Sequence, residues 1–169
     1  MDLFESIEDP FASYASQLTG DPSARLAALR GCSFFQPVPD DWLQRICEMA
    51  QVKTFTSEVC ITTQDEEMKA FYVILYGAAE AFRNGKLVGT IAKGDCFGEA
   101  IFFGDDTLTT SATVIAEDKI IAAEFSKAAI EALRSDPQVM VSMDKALLLA
   151  LFKKLKGANE KIERLMLTC

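Results

Sequence analysis

Histidine is absent from this chain of 169 residues. That absence removes imidazole general-base catalysis, imidazole metal ligation and imidazole pH switching in one step. Long apolar runs are also missing. Half of the residues are apolar, enough to bury a core, yet no stretch approaches the roughly 18–20 residues that cross a bilayer, so no membrane partner is expected. The opening residues, Met1-Asp2-Leu3-Phe4-Glu5, are acidic, unlike the basic start of a secretory signal. Cysteine pairs are absent too. Cys32, Cys47, Cys60, Cys96 and Cys169 are odd in number, widely spaced and without a C-x-x-C. They read as reduced thiols in a cytoplasmic chain, and no N-terminal cluster exists for an iron–sulfur sensor.

Positive charge is scarce and unevenly placed. Residues 1–136 carry 11 basic and 22 acidic side chains, a net −11; residues 137–169 carry six and three, a net +3. An acidic body repels phosphate backbones, which excludes nucleic acid as an expected partner.

What is present divides into three parts: residues 1–30, 31–136 and 137–169. In the first, Leu3, Ile7, Phe11, Tyr14 and Leu18 fall near one helical face. Pro10 breaks a single helix there, leaving either two short helices packed on the body or an arm that docks a partner. Asp21 caps a helix with Pro22 at its first position, turning Leu26 and Leu29 inward. Asp40 caps another, running through Trp42, Leu43, Ile46 and Met49. From residue 51 the pattern changes to short strands: 51–56, 59–63, 70–76, 78–83, 86–92, 111–116 and 120–125. Asn84-Gly85 is a strong hairpin signal, because a two-residue type I′ turn needs positive φ at both positions. Many short strands at even spacing suggest a jelly-roll-like barrel. The fold class is therefore α+β, mainly β, flanked by N-terminal helices and a long C-terminal helix.

Ser126 caps a helix over residues 127–134, and Asp136-Pro137 opens the final helix. Along it Val141, Leu148, Leu151, Leu155, Ala158, Ile162 and Leu165 keep the 3-4 alternation of a heptad seam, broken by Asp144. Four heptads of this kind predict a coiled-coil homodimer, against a helix folded back on its own barrel. Gly157 costs about 1 kcal/mol of helix stability and marks a bend or fraying point.

The order helix, β-roll, short cassette, two strands and long helix resembles the cyclic-nucleotide-binding domain family, from Phe34 to Leu155. Asp40-Asp41-Trp42-Leu43 resembles the helix before the roll. Phe71-Tyr72-Val73-Ile74-Leu75-Tyr76-Gly77 resembles the strand ending in a turn glycine. Gly94-Asp95-Cys96-Phe97-Gly98-Glu99 resembles the approach to the phosphate-binding cassette. The resemblance implies a stand-alone β-roll without a DNA-binding domain, with cyclic AMP or cyclic GMP as ligand. It places the ligand against Gly98, Glu99, Ala100, Thr110, Ser111, Ala112 and Thr113. Gly98 would allow a tight turn, with amides of the cassette helix aimed at the phosphate. Glu99 would accept from the ribose 2′-hydroxyl, Ser111 would reach the phosphate, and Thr113 would lie near the base. Read without the family, Gly98 is a tight turn, Glu99 a helix-start charge and Ser111 and Thr113 ordinary strand residues.

The chain departs from that pattern at Thr110, where the family carries a phosphate-binding arginine. A guanidinium holds a phosphate through two parallel charge-assisted bonds. Such bonds are worth roughly 1.5–3 kcal/mol, so losing one costs about 10- to 100-fold in affinity. Asp105-Asp106 adds two negative charges nearby, and no Lys or Arg lies between Lys93 and Lys119. A replacement cation has to come from elsewhere: Arg83, Lys86 or the basic C-terminal helix.

Two readings follow. One is a regulatory domain of this family with a degenerate cassette, coupling a ligand or partner to its C-terminal helices. The other is a ligand-free interaction module, acting through its dimer seam, N-terminal arm or acidic surface. A truncated transcription regulator is a weaker third, since DNA-binding members continue into a helix-turn-helix domain and this sequence stops at Cys169. No nucleophile–base pair or metal cluster supports an enzyme, and lack of histidine argues against a metal-binding cupin on a similar roll.

Overall fold

Three of the five α-helices among the described residues start at an aspartate followed by proline. The computed structural model describes residues 9–169; Leu3 and Ile7 of the N-terminal stripe lie outside them. Helix α1 spans Pro10–Gly20, and the Asp9 carboxylate accepts from the Phe11 amide at 3.1 Å. Pro10 opens this helix, in keeping with the expectation that no single helix runs through it, because the first helical position has no amide partner to lose. Helix α2, Pro22–Arg30, starts the same way from Asp21. Helix α3 spans Asp40–Met49 with Pro39, not Asp40, at its N-cap. Asp40 instead lies in the first turn, where its charge suits the helix dipole and pairs with Arg30 at 2.5 Å.

Eight strands follow: β1 Gln51–Phe55, β2 Cys60–Thr62, β3 Ala70–Tyr76, β4 Ala79–Arg83, β5 Lys86–Ile91, β6 Cys96–Phe97, β7 Thr113–Ala116 and β8 Ile120–Ser126. They form two antiparallel four-stranded sheets, ordered β1-β8-β3-β6 and β2-β7-β4-β5. Asn84 and Gly85 have φ of 50° and 73°, and Arg83 pairs with Lys86 across them, as a type I′ hairpin requires. Strand β6 has no counterpart in the sequence reading, and β7 starts at Thr113, leaving Ser111 and Ala112 in the preceding loop. A 3-10 turn, Glu99–Phe103, joins β6 to that loop.

Strands β3 and β8 are buried on both faces, and their alternation sorts two cores. Phe71, Val73 and Leu75 of β3, with Ile121, Ala123 and Phe125 of β8, face the helical layer. Tyr72 and Ile74, with Ile120 and Ala122, face the interior of the roll. A period of two on a sheet covered by helices outside and a second sheet inside produces this split. Helix α1 closes over the first core with Ala15 and Leu18 buried, and Phe11 meets the Tyr76 ring edge-on at 5.5 Å. The described part of the N-terminal stripe is therefore packed on the body.

Ser126 caps helix α4, Lys127–Arg134, through the Ala129 amide at 3.2 Å. Asp136 caps helix α5, Pro137–Leu167. The first half of α5 buries Val139, Met143, Ala146 and Leu147. Its second half runs past the mouth of the roll, unbroken through Gly157.

Candidate functional site

The cassette turn depends on one glycine. Gly98 has φ +80°, and a Cβ there would stand 2.5 Å from the Ala70 carbonyl oxygen. Only glycine takes this left-handed turn so close to another backbone without displacing it. The turn delivers Glu99 and Ala100 to the wall of a cavity of about 850 Å³. That size is ordinary for a small-molecule site. Ile61, Ile91, Phe97 and Val114 give the cavity an apolar lining. Thr110, Ser111 and Ala112 line it too.

Six of the seven sequence-derived ligand positions therefore meet at one cavity. Thr113 does not line it; its hydroxyl accepts from the Gln64 amide at 3.0 Å. The Thr110 backbone is tied to the facing loop, donating to the Glu66 carbonyl at 2.9 Å and accepting from the Asp65 amide at 2.8 Å. Asp105 and Asp106 are exposed and outside the cavity lining. The Asp105 carboxylate accepts from the Thr107 hydroxyl at 2.6 Å and its amide at 2.9 Å. These bonds hold its carboxyl below the usual carboxylate range. Both charges therefore stand outside the lining of the site.

The remaining wall comes from α5. Leu151, Lys154, Gly157, Ala158 and Lys161 line the cavity. The Lys154 ammonium donates to the Cys96 carbonyl at 2.9 Å and to the Glu99 carboxylate. Glu99 keeps only 15% of its side chain exposed in that pair. Lys161 donates to the Val88 carbonyl on β5. Beneath Lys154, burial pushes the Cys96 thiol up to about 12, so it stays protonated at neutral pH. Arg83 and Lys86 sit at the far end of the β4–β5 hairpin, outside the lining. Sequence reasoning named the C-terminal helix but not these two lysines. Their spacing from Leu151, at three and ten residues, was the available signal for a shared face.

The heptad seam divides between two surfaces. Leu151 and Ala158 face the cavity. Val141, Leu148, Leu155, Ile162 and Leu165 are exposed. Leu149 and Phe152, which the heptad reading left out, join Val141 and Leu148 along a shallow apolar groove on this outer side.

The comparisons agree with this architecture. The family model described as "Cyclic nucleotide-binding domain" matches residues 52–136. A cAMP-dependent protein kinase regulatory subunit of Schizosaccharomyces pombe is 31% identical over 110 residues, covering 60% of this chain and 26% of the relative. Human cGMP-dependent protein kinase 2 is 29% identical over 100 residues, covering 56% and 13%. The chain thus spans about a quarter or less of these curated relatives. Among solved structures, PKAR CBD2 with Sp-2Cl-cAMPS bound superposes with a TM-score of 0.65 at 16% identity, covering 92% of this chain and 95% of that one. With the cassette turn, the two-sheet roll and the matched span together, the chain belongs to the cyclic nucleotide-binding domain family.

Proposed function

We propose that this chain is a non-enzymatic regulatory domain acting in intracellular signalling, coupling occupancy of the roll cavity to the position of its C-terminal helix. One observation carries the reading: Glu99 of the cassette and Lys154 of α5 are walls of the same cavity and are ion-paired to each other. An occupant that engages Glu99 must alter what holds the second half of α5. Differential contact of this kind is what ligand-driven repositioning needs. The curated relatives are named for cAMP and cGMP, so a cyclic nucleotide is the ligand class to test first. Thr110 leaves the cassette degenerate in charge, whereas Gly98 preserves its turn. Lack of histidine, with Cys60 as the thiol of the lining, supports a binding role rather than catalysis.

Isothermal titration with cyclic AMP, cyclic GMP and a cyclic dinucleotide at low salt tests this. Micromolar binding of any of them supports the ligand-responsive reading. Silence at millimolar ligand favours the second reading, a ligand-free dimerisation module. The exposed apolar stripe of Val141, Leu148, Phe152, Leu155 and Ile162 speaks for that second reading.

A further inference from the structure

We infer that Lys154 and Lys161 supply the positive charge that Thr110 does not, so that the anionic group of the ligand is held by the C-terminal helix itself. This inference rests on the ligand-responsive reading above and adds the residues and the ligand chemistry. The ligand is a nucleotide-sized molecule with a flat, largely apolar body and one phosphate.

The strand side of the cassette, from Asp95 to Asp118, contains no Lys or Arg. Among the described residues, three ammonium groups line the cavity: Lys69, Lys154 and Lys161. Lys69 is exposed and begins the approach to β3. The other two project from one face of α5, seven residues apart and two helical turns along the cavity wall. An ammonium has three donors. Lys154 uses two, on the Cys96 carbonyl and Glu99, and Lys161 uses one, on the Val88 carbonyl. Both therefore retain donors for a phosphate oxygen. Lys161 lies against Gly89 of β5, where a Cβ would stand 3.8 Å from the Lys161 Nζ, an ordinary contact distance.

Charge supports the same assignment. Glu66, Glu67 and Glu99 line the cavity beside Lys69, Lys154 and Lys161. Glu67 pairs with Lys127 from outside the lining at 2.5 Å and Glu99 with Lys154, so with Lys127 counted the cavity keeps a surplus of one positive charge. Asp105 and Asp106 lie outside. The basic tail, net +3, thus places two of its charges on the cavity of an acidic body. A lysine is a point charge rather than a bidentate fork, so it holds a phosphate without fixing its orientation as arginine does. Moving the cation from the cassette to α5 makes the ligand a direct bridge between roll and helix.

The test is titration of the full chain and its variants with cyclic AMP, cyclic GMP and uncharged adenosine. Wild type should bind a cyclic nucleotide. Lys154→Gln should weaken that binding by about tenfold or more, as expected for loss of a charge-assisted contact. Lys161→Gln should weaken it less, Lys154→Arg should restore it, and adenosine binding should not respond to these changes. Unchanged affinity in both glutamine variants would overturn the inference and leave the ligand-responsive reading intact. Tighter binding by Lys154→Gln would also overturn it, making Lys154 a plug over Glu99. If wild type is silent but Thr110→Arg binds, the cassette shape is sound and the lysines do not replace the arginine. If Thr110→Arg is silent as well, the inference and the reading beneath it both fall.

Discussion

The two halves of α5 are held by different physics. Residues 137–147 bury Val139, Met143, Ala146 and Leu147 in the helical-layer core. From residue 152 onward, past the half-buried Leu151, no described side chain of α5 is buried, and that half meets the roll through Lys154 and Lys161. Apolar burial is non-directional and cumulative. A few exposed polar contacts are individually weak and depend on what else competes for them. One continuous helix thus joins an anchor to a segment whose resting place is set by the cavity.

The largest effect should come from attacking the anchor. Met143 is fully buried, so Met143→Ala should cost about 2–5 kcal/mol of stability in urea melts. A cost within experimental error would mean that the first half is not the anchor described here. The outer stripe should behave in the opposite sense. Leu148→Asp with Leu155→Asp replaces side chains already exposed at 67% and 60%, so monomer stability should move by no more than about 0.5 kcal/mol per site. If the stripe pairs two copies, light scattering should show wild-type dimers and variant monomers. A monomeric wild type removes the dimer from the account.

Loosening the second half should show in local exposure more than in stability. Lys154→Gln should change stability by about 1 kcal/mol or less, because Lys154 remains 44% exposed in its pair. Thiol labelling can detect it. Cys96 lies buried with its carbonyl under Lys154, while Cys32 and Cys47 are buried beneath the N-terminal helices. The variant should label faster at Cys96 alone, with the exposed Cys60 and Cys169 fast in both proteins. Equal acceleration at Cys32 and Cys47 would mean global destabilisation instead.

Much of this arrangement is legible in the sequence, and the failures have physical causes. The places of the longer strands along the chain, the Asn84-Gly85 hairpin and the Gly98 turn follow from residues whose backbone preferences are strong. Strand β6 escapes because two residues between Gly94 and Gly98 carry no periodicity. The seam misleads at Leu151 and Ala158, since a heptad pattern and a cavity-facing stripe share positions on one helix. Lys154 and Lys161 look like part of a solvated basic face until the roll is placed beneath them. The orientation of Asp105 and Asp106 is likewise a loop property that composition does not encode.

Hydrogen exchange along α5, with and without saturating cyclic AMP or cyclic GMP, tests the coupling most directly. The account predicts slower exchange of amides in residues 151–161 on ligand addition, with residues 137–147 unchanged. No change in residues 151–161 at millimolar ligand, or equal change along the whole helix, would contradict it.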